Sequence, residues 1–160
     1  MAEIIALCGK ICCGKTTCAR RLCREKRAAL LSMDEVMLAL FPPYLGDRHE
    51  EIAARVRAML LAKAAELVGV GVNVVLDWGF WSRAGRDDLR AFCRERGIPC
   101  QFRYLHIDET TWRERVAARN RAVEAGETAA YLVDANLAAK CAAAFEPPAA
   151  DETDVVEVCD

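Results

Sequence analysis

Eight residues near the start of the chain, Gly9-Lys10-Ile11-Cys12-Cys13-Gly14-Lys15-Thr16, fit the pattern G-x-x-x-x-G-K-[ST]. The residues on either side make the pattern informative. Ile4 to Leu7 is a short, continuous apolar run, the mark of a strand buried on both faces of a parallel sheet. Thr16 to Arg27 contains neither Gly nor Pro and reads as a helix. A strand that turns through two glycines into a helix aims successive backbone N–H groups at one point and adds the positive end of the helix dipole there. Such a turn cradles phosphate oxygens. Lys15 is then placed to reach the β and γ phosphates of a nucleoside triphosphate, and the Thr16 hydroxyl to coordinate magnesium. Gly is about 7% of average chains, so an accidental match is roughly a one in a hundred event. The expectation is an ATP and Mg2+ site built from Gly9, Lys10, Ile11, Cys12, Cys13, Gly14, Lys15, Thr16 and Thr17.

The rest of the chain alternates in kind. Ala28 to Met33 is a second apolar run stopping at Asp34, and a long helix spans about Arg48 to Val68, with Ile52, Val56, Leu60 and Leu67 on one face and glycines at its end. Val72 to Leu76 reads as a third strand closed by Asp77, Ala84 to Arg96 as a helix, and Gln101 to Ile107 as a fourth strand. Helices follow at Glu109 to Val123 and Asp134 to Phe145, then a fifth strand at Val155 to Val158. Strands alternating with helices predict an α/β fold, a parallel sheet covered on both faces. A length of 160 residues predicts one domain, residues 1 to 160.

In such a sheet ligand chemistry gathers at the carboxyl ends of the strands, which draws attention to two acids. Asp34 is either a functional carboxylate or the N-cap of the helix that Glu35 to Leu40 suggests. Asp77 is either a contact to magnesium, its water or a substrate, or a residue of the turn. Two acids beside a triphosphate can divide the labour, one staying with the metal and the other taking the proton of an attacking hydroxyl. No N-K-x-D sequence for reading guanine is present.

Phosphoryl transfer also needs cations around the γ-phosphate. Arg115 and Arg119 lie four apart and share one helical face, next to a segment broken by Gly126, where a mobile lid of about residues 115 to 133 would attach. Arg83 and Arg86, just beyond Asp77, either grip an acceptor substrate or pair with Asp87 or Asp88. Trp78, Phe80 and Trp81 either stack on a substrate ring or pack in the core. His106, in an apolar run, is expected in the core.

Charge narrows the class of partner. The formal net charge is −2, which offers no general attraction to duplex DNA or RNA. The Arg residues concentrate between 81 and 121, a pattern suited to a small phosphorylated ligand more than to a long polynucleotide. No apolar run reaches membrane-spanning length, and a cytoplasmic location is expected, with no membrane partner. The nine Cys are an odd number that cannot all pair internally, and reduced thiols are the default in that compartment. Five of them straddle the loop and its helix without the two separated pairs of a zinc site.

With these residues in hand, the chain resembles the small P-loop kinases of the AAA-33 type, relatives of polynucleotide kinase, chloramphenicol phosphotransferase, gluconate kinase and zeta-toxin kinases. The resemblance rests on the early phosphate loop, Leu31-Ser32-Met33-Asp34-Glu35, Val74-Val75-Leu76-Asp77-Trp78-Gly79-Phe80-Trp81, Arg115-Val116-Ala117-Ala118-Arg119-Asn120 and Phe145-Glu146-Pro147-Pro148. It implies a three-layer P-loop NTPase sandwich with a five-stranded parallel sheet in order 2-3-1-4-5, and transfer of phosphate from ATP to a hydroxyl. By the same resemblance Asp34 is similar to the general base, Arg115 to the arginine beside adenine, and Arg119 to the lid arginine facing the phosphates. Phe145 to Glu152 would pass near the base, and the lid between Asn120 and Ala130 is short. The acceptor expected is a sugar, nucleoside or antibiotic hydroxyl. The alternatives are the 5′-hydroxyl of a polynucleotide and a regulatory ATP-binding module without an acceptor.

Overall fold

In the computed structural model, residues 1–42, 45–128 and 130–158 are described. The expected domain includes five residues outside that set, Pro43, Tyr44, Ala129, Cys159 and Asp160, of which Ala129 falls in the expected lid. Five strands form one wholly parallel sheet: β1 (Ile4–Cys8), β2 (Ala28–Ser32), β3 (Asn73–Asp77), β4 (Cys100–Leu105) and β5 (Val155–Val158). Their order is β2-β3-β1-β4-β5, as the resemblance implies. Every residue of β1 is fully buried, which is why that strand is continuously apolar.

The alternation of side chains along β1 divides the core into two layers. Ile4 and Ala6, with Val74, Leu76 and Phe102, pack under α3 (His49–Gly69) and α4 (Arg83–Glu95) through Ala64, Leu89 and Cys93. Ile5 and Leu7, with Val75 and Leu105, pack on the opposite side against α1 (Lys15–Lys26) through Cys18, Ala19 and Leu22. The result is a three-layer sandwich. A smaller cluster joins α2 (Met33–Leu40) to α3 through Met33, Met37, Ile52, Val56 and Leu60. The remaining helices are α5 (Glu109–Glu124) and α6 (Ala135–Ala144).

Two expectations shift. The second strand ends at Ser32, one residue early, because Ser32 caps α2: its hydroxyl accepts from Glu35 N at 3.4 Å. The fourth strand ends at Leu105, so His106 is not in the core. Its side chain is 58% exposed beside Glu157, because the chain has already left the sheet for the N-cap of α5 at Asp108.

Candidate phosphate-binding site

The loop between β1 and α1 lies at the carboxyl end of the central strand, and its backbone is one that few residues tolerate. Gly14 has φ 100° and caps α1 in the left-handed region, and Cys12 also sits at positive φ, 60°. A Cβ on Gly9 would come within 2.6 Å of Cys13 Sγ and 2.9 Å of the Leu105 carbonyl, so only glycine fits where the loop passes β4. The Lys15 ammonium folds across the loop and donates to the carbonyls of Gly9 at 3.0 Å and Lys10 at 2.5 Å. Thr16 Oγ1 donates to Asp77 Oδ2 at 2.9 Å, joining the first residues of α1 to the end of β3. Burial pushes the Asp77 carboxyl above its ordinary value, opposed by the Thr16 hydroxyl and the Lys15 charge and reinforced by the carboxylates of Asp34 and Glu35. A bound cation would reverse that strain by favouring the ionised form.

One face of α5 lies over the loop. Trp112 Nε1 donates to Ile11 O at 2.7 Å, Arg115 Nη1 to Cys13 O at 3.1 Å and Arg119 Nη1 contacts Cys12 Sγ at 3.4 Å. Lys10 Nζ lies 5.3 Å from the centre of the Trp112 ring and 3.7 Å from Glu109. The i, i+3, i+7 spacing of 112, 115 and 119 is what puts three polar reaches on one side. Arg119 Nε is buried without a hydrogen-bond partner. A buried guanidinium N–H costs free energy until an acceptor meets it, and a phosphate oxygen is such an acceptor. The loop backbone, Lys15, Arg115, Arg119 and the Thr16–Asp77 pair therefore fit a magnesium nucleotide.

Asp34 stands in the first turn of α2, exposed and one turn from the sheet. The cap of that helix is Ser32, so Asp34 is not the N-cap. Neither Asp34 nor Glu35 has a side-chain hydrogen bond or ion pair among the described residues. The Asp34 charge acts on two neighbours: it adds to the upward shift of Asp77, and after burial it raises the phenol of Tyr131. Asp34 and Asp77 thus stand at the carboxyl ends of the neighbouring strands β2 and β3.

Arg83 and Arg86 go elsewhere. Arg83 pairs with Asp87 at 3.0 Å and with Asp151 at 3.0 Å. Arg86, fully buried, pairs with Glu152 through two bonds of 2.7 and 2.8 Å and donates to the carbonyls of Phe80 at 3.1 Å and Glu146 at 3.0 Å. Together these bonds form a strut that ties α4 to the 145–152 segment, and Arg83 pairs with Asp87, one of the two acids the sequence offered for it. Trp78 and Phe80 stack on one another at 5.2 Å between ring centres, and Phe80 meets Phe102 edge-on in the core. Trp81 lies over Gly79, where a Cβ would fall 1.9 Å from its Nε1. Phe145, buried, stacks on Tyr104.

Two residues of the site region, Trp112 and Tyr131, were not singled out in the sequence, and Asn120 and Glu152 were named there only as parts of longer stretches. Trp112 shares the helical face of Arg115 and Arg119, so the same spacing argument would have found it. Tyr131 and Glu152 sit in irregular segments, where no periodicity says which way a side chain points.

The model of the family named AAA_33, described as an AAA domain, matches residues 4–148. No curated protein matches the sequence. Among solved structures, a putative kinase from Chloroflexus aurantiacus superposes with a TM-score of 0.72 at 20% identity, over 99% of this chain and 85% of its own. Kti12 of Chaetomium thermophilum in complex with ADP-AlF3 gives 0.72 at 18% identity, over 98% and 89%. A sugar kinase from Janibacter sp. HTCC2649 gives 0.65 at 18% identity, over 99% and 86%. These likenesses concern the fold, which is that of the P-loop NTPases.

Proposed function

The chain belongs to the AAA_33 family of AAA domains, and from that premise we propose that it is an ATP-dependent kinase that transfers the γ-phosphate to a hydroxyl of a small molecule, a sugar, nucleoside or antibiotic. The observation that carries this reading is the pair of unlike carboxylates at one end of the sheet. Asp77 is buried and tied to Thr16, whereas Asp34 is exposed and unpaired a short way off. An ATP-binding switch uses the first kind of acid and has no need of the second.

The division of labour follows from those surroundings. Thr16 and Asp77 are the residues that would hold magnesium, which supplies neutralising charge at the phosphate oxygens when bound with the nucleotide. The loop N–H groups from Lys10 to Thr17 orient the phosphates, and Lys15 exchanges its two carbonyl partners for phosphate oxygens. Arg115 and Arg119 approach from α5, Arg119 placing its N–H groups where charge spreads as the bond to the leaving oxygen loosens. Asp34, exposed in the first turn of α2, accepts the proton of the attacking hydroxyl.

The acceptor is a small molecule in this account because the cations nearest Asp77 on the α4 side, Arg83 and Arg86, are engaged by Asp87, Asp151 and Glu152 and are not free for a polynucleotide backbone. A location in the cytoplasm accords with this use of ATP. Among the described residues no helix is long and apolar enough to cross a membrane. The direct test is ADP release over a panel of sugars, nucleosides, antibiotics and 5′-hydroxyl oligonucleotides, measured against the acceptor-free rate and against Lys15→Ala. The reading expects one small-molecule class to raise the rate in the wild type only. Stimulation by oligonucleotides alone, or a Lys15→Ala variant as active as the wild type, would contradict it.

A further inference from the structure

The C-terminal half of α5 carries Arg119 yet is poorly anchored by apolar burial. Trp112, in the first turn, is the buried residue of this helix, and the following three turns are half-buried or exposed. Where a helix lacks a buried stripe, its orientation depends on polar tethers. Two of these, from Arg115 and Arg119, run to the phosphate loop itself, so both are open to exchange when phosphates arrive.

The third tether runs away from the loop. Asn120 Oδ1 accepts from Val133 N at 2.9 Å, and Asn120 Nδ2 donates to Val133 O at 2.8 Å. A single side-chain amide thus satisfies both backbone groups of one residue, which fixes the orientation of the amide and mimics one rung of a β-ladder. Val133 itself is 2% exposed, a plug in an otherwise exposed stretch, and Asp134 next to it caps α6 through Leu137 N at 2.7 Å.

We propose that Asn120 is a positioning residue: its amide latches the return of the lid to α5 at Val133 and so holds Arg119 over the phosphates. The proposal rests on the kinase reading for what Arg119 does, and on the paired hydrogen bonds for how it is held. Shape and charge both matter at this position. Alanine removes both bonds and leaves Val133 N and O unpaired, and aspartate keeps the bond from Val133 N while setting a carboxylate against the carbonyl.

The test needs no knowledge of the acceptor. Calorimetric titration with MgADP, and with MgADP plus aluminium fluoride as a mimic of the transferring phosphoryl group, separates ground-state binding from the charge that Arg119 meets. In the wild type the fluoride should tighten nucleotide binding. In Asn120→Ala the MgADP affinity should stay within about threefold, while the gain from fluoride falls by about tenfold or more, the share of an electrostatic clamp that positioning controls. Asn120→Asp should show the same loss, and it serves as the readout if the alanine variant does not fold. Val133→Ala is the structural control: it shrinks the plug and keeps both backbone bonds, so it should lower the melting temperature and retain the fluoride gain. A fluoride gain in Asn120→Ala or Asn120→Asp equal to that of the wild type overturns the latch, as does its loss in Val133→Ala to the same degree. Absence of any fluoride gain in the wild type overturns the kinase reading and the latch with it.

Discussion

At the scale of single residues, the phosphate loop was legible in the sequence because its chemistry is local. Gly9, Gly14, Lys15 and Thr16 are constrained by backbone curvature and by a helix N-terminus that both belong to one short stretch. Arg115 and Arg119 were legible for a related reason, since helical spacing alone puts them on one face. The partner of Arg86, Glu152, was not legible because it lies far along the chain in a segment without periodicity, and only the fold brings the two together. The alternative offered for Asp34, a helix cap, failed by two residues, because Ser32 already supplies the oxygen that Glu35 N needs. The unpartnered Nε of Arg119 leads to a prediction at this scale. Arg119→Ala should lower kcat/KM by about 10²-fold or more through the charge it meets in transfer, with a smaller effect on ATP affinity. Steady-state kinetics with the acceptor found by the ADP-release panel checks this, and an unchanged value would return Arg119 to a solvated helix face.

At the scale of elements, five strands and the helices between them follow from apolar runs and breakers, and errors fall at the ends, where caps decide. His106 shows the limit: an apolar neighbourhood suggested a core residue, but the strand had ended one position earlier at Leu105. The stretch after β3 shows another, because the constraint on Gly79 is the indole of Trp81 lying over it, which no local pattern announces. Trp81 is joined in turn to the 145–152 segment, its carbonyl accepting from Glu146 N at 2.7 Å. Gly79→Ala must therefore displace Trp81 and loosen the join between β3 and that segment. Overpacking of this kind costs about 1–3 kcal/mol. Chemical denaturation should show the loss, and a variant as stable as the wild type would mean that the ring moves aside freely.

At the scale of the whole molecule, the sheet brings two kinds of ionic structure to opposite uses. The charges around the loop are left with exchangeable partners, whereas Arg86, Arg90 and Glu152 are locked together behind it. The bonds from Arg86, with those from Ala149 N and Arg90, hold the Glu152 carboxyl at about 2, below its ordinary 4.5, against the opposing effect of burial. A depressed folded-state value means that this stabilisation is fully present above pH 4.5 and is lost as pH falls toward 2. Glu152→Gln should flatten that part of the stability profile and, by leaving Arg86 charged and unpaired, cost about 3–5 kcal/mol at neutral pH. Denaturation midpoints across the acid range test this, and a profile with the wild-type slope would place the acid sensitivity in other carboxylates. The proposed kinase activity turns on the other group of charges, where Asp34 is proposed to take the proton of the attacking hydroxyl. Asp34→Asn keeps the shape of the side chain and removes the proton acceptor. Rapid-quench measurement of phosphate transfer to the acceptor, alongside calorimetric binding of MgATP, is the most direct test. The account predicts that the variant binds MgATP as the wild type does and transfers phosphate about 10² to 10⁴-fold more slowly. Transfer at the wild-type rate would contradict it.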